Sequence, residues 1–513
     1  MTGSVTSIDV AIVGAGFAGL GMATQLARRG RESFVVLERA GAVGGTWRDN
    51  IYPGIACDIP GHLYSFSFRP PADWSAIYPG GAEIREYLEQ TVRDEGLDPH
   101  IRLDCELISA TWDAVAARWQ LTTAGVAGPA TLSARVLLLA VGRLSEPKVP
   151  AIEGLDSFPG PVVHTAQWDP DLEVTDKRVG VVGTGASAIQ IVPHIAHDAA
   201  ELVVFSRTPP YIVPRADRLL DAEERASLVD PATAAAHRDE LLRNADNAFA
   251  QRLRHHPDIT EIRGRALGHL QSQIPDPVLR AELLPDYEIG CKRILLSDDF
   301  YPALLRENVV FEPSALESVV ETKARAASGR SYDLDIVVMA TGFEAARPPV
   351  ASRVRGRDGE VLAEHWRNGM VSYASTVVAG FPNMFVLDGP NAALGHNSAI
   401  YMIETQLDYV VGALDHMARQ TVRSLEVTAA AERAYTREID DRSAETVWLT
   451  GCGSWYVDPG SGRLTLLWPG TAVSFRERNG RFEPAPYVTR PSVTGPSVTE
   501  PSVIGPSVIE LGE

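Results

Sequence analysis

Two glycine-rich loops lie about one domain apart in this chain, each between an apolar strand and a helix. The first is Gly14-Ala15-Gly16-Phe17-Ala18-Gly19, and the second is Gly183-Thr184-Gly185-Ala186-Ser187-Ala188. One G-x-G-x-x-G constrains little, because glycine turns are common. Two on one polypeptide predict an α/β protein with two Rossmann-like dinucleotide-binding domains. They also bring two dinucleotides together, so that an electron donor can meet an acceptor.

Each loop has its own chemistry. Asp9-Val-Ala-Ile-Val13 is the short apolar run of a buried parallel strand, and Leu20 to Arg29 follow in a helical pattern that stops at Gly30. Gly14, Gly16 and Gly19 permit the tight turn, the approach of backbone to pyrophosphate, and close helix–strand packing. The phosphates then meet unpaired N–H groups at the helix N-terminus. The next strand, Phe34-Val-Val-Leu37, ends at Glu38, roughly 20 residues beyond the loop. A carboxylate there suits ribose hydroxyls and repels a 2′-phosphate, so this site should take FAD or NAD. The second loop follows Lys177-Arg-Val-Gly-Val-Val182, and its partner strand, Leu202 to Ser206, ends at Arg207-Thr208. Arg207 can pair with a 2′-phosphate through a planar, charge-assisted fork, so Gly183, Thr184, Gly185, Ser187, Ala188, Arg207 and Thr208 are assigned to NADP(H). The plain alternatives are an unliganded strand–turn–helix and a solvated arginine at a strand end.

At 513 residues the chain should form two or three domains. A net charge of −19 argues against nucleic acid. No apolar run approaches the ~20 residues that span a bilayer. The N-terminal run lacks a basic segment, so no signal peptide is expected. Cys57, Cys105, Cys291 and Cys452 are scattered with no CxxC, which excludes dithiol chemistry and a standard zinc cluster; no metal is expected. Four free thiols would suit the cytoplasm.

Residues 1–145 read as the first part of an FAD-binding domain, ending near the strand Val136 to Gly142. Residues 146–334 read as the NADP-binding domain, with a charged helical insertion at about 218–285. The strand Leu334 to Phe343 echoes Val136 to Gly142 and is expected to return the chain to the first domain, which 335–486 completes. Residues 487–513 carry a repeat beginning Pro491-Ser-Val-Thr-Gly, with proline at every fifth position. Such a segment can neither form a ladder nor bury a core, so a disordered tail is expected.

Between the loops lies Phe158-Pro-Gly160-Pro-Val-Val-His164-Thr165-Ala-Gln-Trp168-Asp169. This string follows F-x-G-x-x-x-H-T-x-x-W-[P/D], the fingerprint of the Baeyer–Villiger monooxygenases within the class B flavoprotein monooxygenases. A second pattern of that family, [A/G]-G-x-W-x-x-x-x-[F/Y]-P-[G/M]-x-x-x-D, is met by Gly44, Gly45, Trp47, Tyr52, Pro53, Gly54 and Asp58. The chain resembles this family over about residues 8 to 480. Flavin-containing monooxygenases and N-hydroxylases share the two loops but usually lack the Thr-x-x-Trp-[P/D] ending. Gly389 to Ser398 fits more loosely, because Gly395-His396-Asn397-Ser398 departs from ketone-oxidising members.

The resemblance implies FAD and NADP(H) as cofactors, and O2 and a small carbonyl compound as reactants. Oxygen would enter beside a ketone carbonyl through a C4a-peroxyflavin, giving an ester or lactone. Arg293 would be the cation that holds the developing oxyanion, and Asp58 would orient it near the flavin. Lys292 would join Arg207 at the 2′-phosphate, and Thr46, Trp47, Asp49 and Tyr64 would lie around FAD. The fingerprint residues Phe158, Gly160, His164, Thr165, Trp168 and Asp169 would form an interdomain linker, with His164 either a relay or a structural histidine. Blander readings stay open: surface charges at 292 and 293, a loop-capping Asp58, and a core Trp47. Trp455 and Tyr456 could line the substrate pocket or the core, and His396 could be a ligand, a base or a buried histidine. Two other function classes compete. One is a monooxygenase of nucleophilic nitrogen or sulfur. The other is an uncoupled flavoprotein that consumes NADPH and releases peroxide.

Overall fold

The computed structural model describes residues 6–71, 73–126 and 128–491. Strand Thr6–Val13 lies between Phe34–Leu37 and Ala130–Leu139, and both pairings are parallel. Its last four residues and all of Phe34–Leu37 are buried, as expected of strands covered on both faces. Strand Ala130–Leu139 serves two neighbours on its other edge. Its first half pairs antiparallel with Arg118–Gly125, and its second half pairs parallel with Met384–Val386. Cys105–Asp113 extends the antiparallel side. The parallel side therefore holds the first glycine loop, with helix Phe17–Ala27 rising from it.

The second sheet is wholly parallel. Its order is Val309–Glu312, Glu201–Phe205, Arg178–Val182, Ile336–Met339 and Val162–His164. The strand expected to return the chain to the first domain is thus a central strand of the second sheet. All four residues of Ile336–Met339 are buried, so it needs a neighbour on each edge and a core on each face. Its echo of Val136 to Gly142 has a topological cause, since each strand runs beside the glycine-loop strand of its own sheet. The chain regains the first sheet only at Val354–Arg355 and Met384–Val386.

The stretch 218–285 carries helices Ala222–Ser227, Pro231–Asn247, Asp258–Gln273 and Pro277–Glu282. Asp221, Asp230 and Asp276 cap three of them through backbone amides, the last two just before a proline. Arg238 donates to the His62 carbonyl at 2.8 Å, which seats this lobe on the first domain. No helix among the described residues is long and apolar enough to cross a membrane.

Two further expectations need correction. Cys291 and Cys452 form a disulfide, with their Cα atoms 6.3 Å apart, which leaves only Cys57 and Cys105 free. The pair is 161 residues apart, so no local spacing reveals it, and the free-thiol argument for the cytoplasm loses half its residues. The tail also begins later than 487. Tyr487–Pro491 is a strand that pairs antiparallel with Val422–Val427. Tyr487 drives this: its hydroxyl hydrogen-bonds that of Tyr409, and its ring packs 5.1 Å from Phe482. The repeat beyond 491 lies outside the described residues. Truncation after residue 486 should therefore lower the melting temperature by several degrees relative to truncation after 491, as read by calorimetry. Equal melting temperatures would show that the strand adds nothing to the fold.

Candidate active site

The first glycine loop opens into a groove of about 240 Å³. Gly14, Gly16, Glu38, Thr46, Trp47, Asp49 and Tyr64 all line it. Gly14 has φ +105°, and a Cβ there would meet the Ala140 carbonyl oxygen at 2.4 Å, so a side chain is excluded on both counts. Gly19 lies behind the groove, against the Gly14 carbonyl. Gly16 faces only Gly45, so two bare backbones form a cradle that any Cβ would narrow. This cradle fits a pyrophosphate at the start of helix Phe17–Ala27.

Glu38 stands where the sequence puts it, but it is already engaged. It accepts from the Ala15 and Ala40 amides, both at 2.9 Å, and pairs with Arg48 at 2.9 Å. Oε2 accepts only the Ala15 amide and keeps a lone pair for a ribose hydroxyl. Arg48 also grips Asp49 at 2.7 and 2.9 Å, so these three side chains form one charged wall. Farther in, Tyr64 meets Trp47 edge-on at 5.6 Å. Burial holds the Tyr64 phenol well above its ordinary pKa, and nearby Cys57 and Asp58 push the same way. Arg143 lines the groove too, paired with Asp388. Neither Arg48 nor Arg143 was anticipated; the one signal for Arg143 is its place just after the glycine turn that ends Ala130–Leu139.

At the second loop, a Cβ on Gly185 would meet nothing within 4 Å, which leaves an open cradle before helix Ala186–Asp198. Gly183 has φ +111°, Ala188 is buried, and Ser187 sits in the first turn of the helix. Thr184 Oγ1 donates to the Thr208 carbonyl at 3.2 Å, tying the loop to the next strand end. Arg207 is exposed there. The Lys292 ammonium stacks 4.7 Å from the Tyr287 ring. Burial lowers its pKa, and the Arg207 cation lowers it further. The two cations repel each other, and an anion held by both would relieve the repulsion.

The two domains meet through Tyr52 to Asp58. Tyr52 donates to Gln190 Oε1 at 2.8 Å, and Gln190 donates to the Ala56 carbonyl at 2.9 Å. Gly54 has φ +82°, and a Cβ there would lie 2.4 Å from the His194 ring and 2.7 Å from the Gln190 carbonyl oxygen. Two residues past Ala56 stands Asp58. Its Oδ2 accepts from both Arg293 Nε, at 2.9 Å, and Arg293 Nη2. Asp58 keeps the guanidinium charged far above its ordinary range despite burial. Nη1 has no protein partner among the described residues.

The fingerprint residues lie elsewhere and chiefly build structure. Val162–His164 is the edge strand of the second sheet rather than a free linker. Phe158 is buried on one face of that sheet. Trp168 is buried on the other, in the same core as Tyr52. A Cβ at Gly160 would strike the Asp335 carbonyl oxygen. Thr165 is buried, and Asp169 is an exposed turn cap that accepts from the Asp171 amide. His164 Nδ1 accepts from the Ala166 amide at 3.1 Å, and burial lowers its pKa. Tyr456 is core-buried, whereas Trp455 is 42% exposed.

Two dinucleotide cradles with a fixed cation at the inter-domain junction define a two-cofactor oxidoreductase. The pyridine nucleotide-disulphide oxidoreductase family matches residues 11–218, although this chain has no CxxC. A Baeyer–Villiger monooxygenase of Streptomyces coelicolor is 46% identical over 94% of this chain and 93% of its own length. A steroid monooxygenase bound to NADP superposes with a TM-score of 0.82 and 31% identity, covering 92% of this chain and 97% of its own. OTEMO in complex with FAD and NADP superposes with a TM-score of 0.83 and 25% identity, covering 93% of this chain and 97% of its own. The chain belongs to the Baeyer–Villiger monooxygenase family. The Gly54 contact has a direct test. Gly54→Ala should destabilise the protein by about 2 kcal/mol or more, from a strained φ plus overpacking. Thermal unfolding with FAD content as a control reads this, and an unchanged melting temperature would rule out the close contact.

Proposed function

We propose that Arg293, held by Asp58, is the oxyanion-stabilising cation of an NADPH- and O2-dependent Baeyer–Villiger monooxygenase that forms an ester or lactone from a ketone. One observation carries this assignment. Asp58 occupies the Nε and Nη2 edge of the guanidinium and leaves Nη1 without a protein partner among the described residues. A cation so placed is oriented and still has donors to give.

FAD is assigned to the first groove and NADP(H) to the second cradle; bound there, the pair would supply reducing equivalents and an oxygen nucleophile derived from O2. The chain's own residues do the rest. Gly14 and Gly16 admit the pyrophosphate, and Glu38 takes a ribose hydroxyl. Thr46, Trp47, Asp49 and Tyr64 wall the groove around the flavin end. Arg207 and Lys292 take the 2′-phosphate, while Thr184 and Thr208 hold the loop that carries it. Arg293 stabilises negative charge on the attacking oxygen and on the tetrahedral adduct without giving up a proton, because Asp58 keeps it charged at any working pH. Oxygenation of nitrogen or sulfur needs a protonated oxygen donor and gains nothing from a permanent cation. The ketone reading is therefore the better match to this site.

Two outcomes follow. Arg207→Ala should raise the Michaelis constant for NADPH about tenfold or more and leave that for NADH nearly unchanged, since a hydrogen bond to a charged group is worth roughly 1.5–3 kcal/mol. Equal use of NADPH and NADH by the parent enzyme would overturn the phosphate assignment. Arg293→Ala should keep its FAD and still be reduced by NADPH in anaerobic stopped flow. Its ester yield under oxygen should fall by about 10²–10³, the usual cost of a lost oxyanion donor. Retention of most of that yield would remove Arg293 from the chemistry.

A further inference from the structure

A second cation, this one buried, lies close enough to feel the charge of Arg293. Arg252 ends the turn Ala248–Arg252 of the helical lobe and is 6% exposed. It makes no ion pair among the described residues. Among the described residues its hydrogen-bond partners are only the carbonyl and Oε1 of its neighbour Gln251, at 3.5 and 3.4 Å. Its stem crosses Gly290, where a Cβ would meet Arg252 Cδ at 3.2 Å, three residues before Arg293.

The surrounding wall is just as unsatisfied. The His396 side chain is 0% exposed, and neither ring nitrogen has a hydrogen-bond partner. The nearest carboxylate oxygen, Asp246 Oδ1, is 3.8 Å away and already accepts from Asn397 and the Ala472 amide. The Tyr456 hydroxyl is buried against the Arg293 guanidinium and makes no well-aligned hydrogen bond among the described residues. Phe249 lies 5.4 Å from the His396 ring and 6.3 Å from Trp448, which in turn lies 6.4 Å from Tyr456. The Cys291–Cys452 disulfide joins the segment carrying Arg293 to the one carrying Tyr456.

A buried guanidinium without an anion is costly, and a second cation nearby adds to the cost. Burial lowers Arg252 to about 10, so it stays charged at neutral pH. Burial, with Arg252 and Arg293 beside it, lowers His396 to about 3, so the histidine supplies no further charge. The wall therefore presents fixed positive charge, a neutral imidazole and a phenol, framed by aromatic rings. A planar carboxylate complements it, because a guanidinium can bind one through two parallel hydrogen bonds.

We infer that the ketone oxidised at this site also carries a carboxylate, which Arg252 binds while Arg293 attends the carbonyl. This rests on the proposed function, but its test does not depend on turnover. FAD-loaded enzyme with NADP⁺ would be titrated with methyl-ketone carboxylates from 4-oxopentanoate to 8-oxononanoate and with their methyl esters, following the flavin absorbance change. At least one acid should bind about tenfold or more tighter than its ester, a gap of about 1.4 kcal/mol. Arg252→Met should shrink that ratio to about twofold or less, and Arg252→Lys should keep part of it. The inference is overturned if no acid in the series outbinds its ester. It also fails if Arg252→Met leaves the ratio intact, and if that variant loses NADP⁺ affinity at the same time, Arg252 serves the cofactor instead. Product analysis with the same compounds is separate. An acid preference without ester formation would sink the ketone-oxygenation reading and leave the carboxylate site standing.

Discussion

The ion pair between Asp58 and Arg293 is the constraint on which the rest of the site depends. Its partners are 235 residues apart and come from the two different nucleotide-binding units. Breaking such a pair from one side strands a partly buried charge, so each unit specifies the position of the other. The supports on either side serve this purpose. Gly54 lets the chain turn hard against helix Ala186–Asp198, and Tyr52 and Gln190 latch it there just before Asp58. On the other side, the disulfide holds the residue two before Arg293 to the loop that carries Tyr456. A cation meant to meet developing charge must not reorganise as that charge appears, and an arginine fastened along one edge meets the requirement.

The two nucleotide units use one solution twice and differ where their cofactors differ. In each, a glycine-loop strand runs between two parallel neighbours, and the strand ending in a glycine turn lies beside it. At the end of the following strand stands Glu38 in one unit and Arg207 in the other. In the proposed assignment, one residue of opposite charge at an equivalent place separates a ribose site from a phosphate site. Glu38 goes further than its role requires, since Arg48 and two amides fix its carboxylate before any nucleotide arrives.

What was legible in the residues is what local physics dictates. Glycine spacing, apolar runs and strand-end charge are short-range signals, so both glycine loops, with their strands and helices, could be read directly. The Lys292-Arg293 pair and Asp58 were legible only through motif resemblance, because nothing local links two residues so far apart. The strand Ile336–Met339 was assigned to the wrong sheet for a related reason: an apolar run predicts a buried strand but not its neighbours. The disulfide, Arg48 and Arg252 were invisible because each gains its meaning from a distant partner, or from lacking one. The tail boundary was missed because proline periodicity outweighed a single tyrosine whose packing organises a strand.

The departure at Gly395-His396-Asn397-Ser398 takes on meaning in this light. Asn397 donates to Asp246 at 2.7 Å, and Asp246 also accepts from the Ala472 and Val473 amides at 2.7 and 3.0 Å. One buried carboxylate of the helical lobe thus fixes both the 395–398 turn and the start of helix Ala472–Asn479. Ser398 caps helix Ala399–Arg419 and donates to the Leu63 carbonyl, which carries the same register back to the segment beside Tyr64. Substitutions in this turn would therefore act first on how the lobe is seated. With the lobe held by Asp246, the aromatic wall of Phe249 and Trp448 and the unpaired Arg252 are fixed relative to Arg293. The lobe and the segment beside Tyr64 are thereby set in one frame, by hydrogen bonds that run from Asp246 through the 395–398 turn to Leu63.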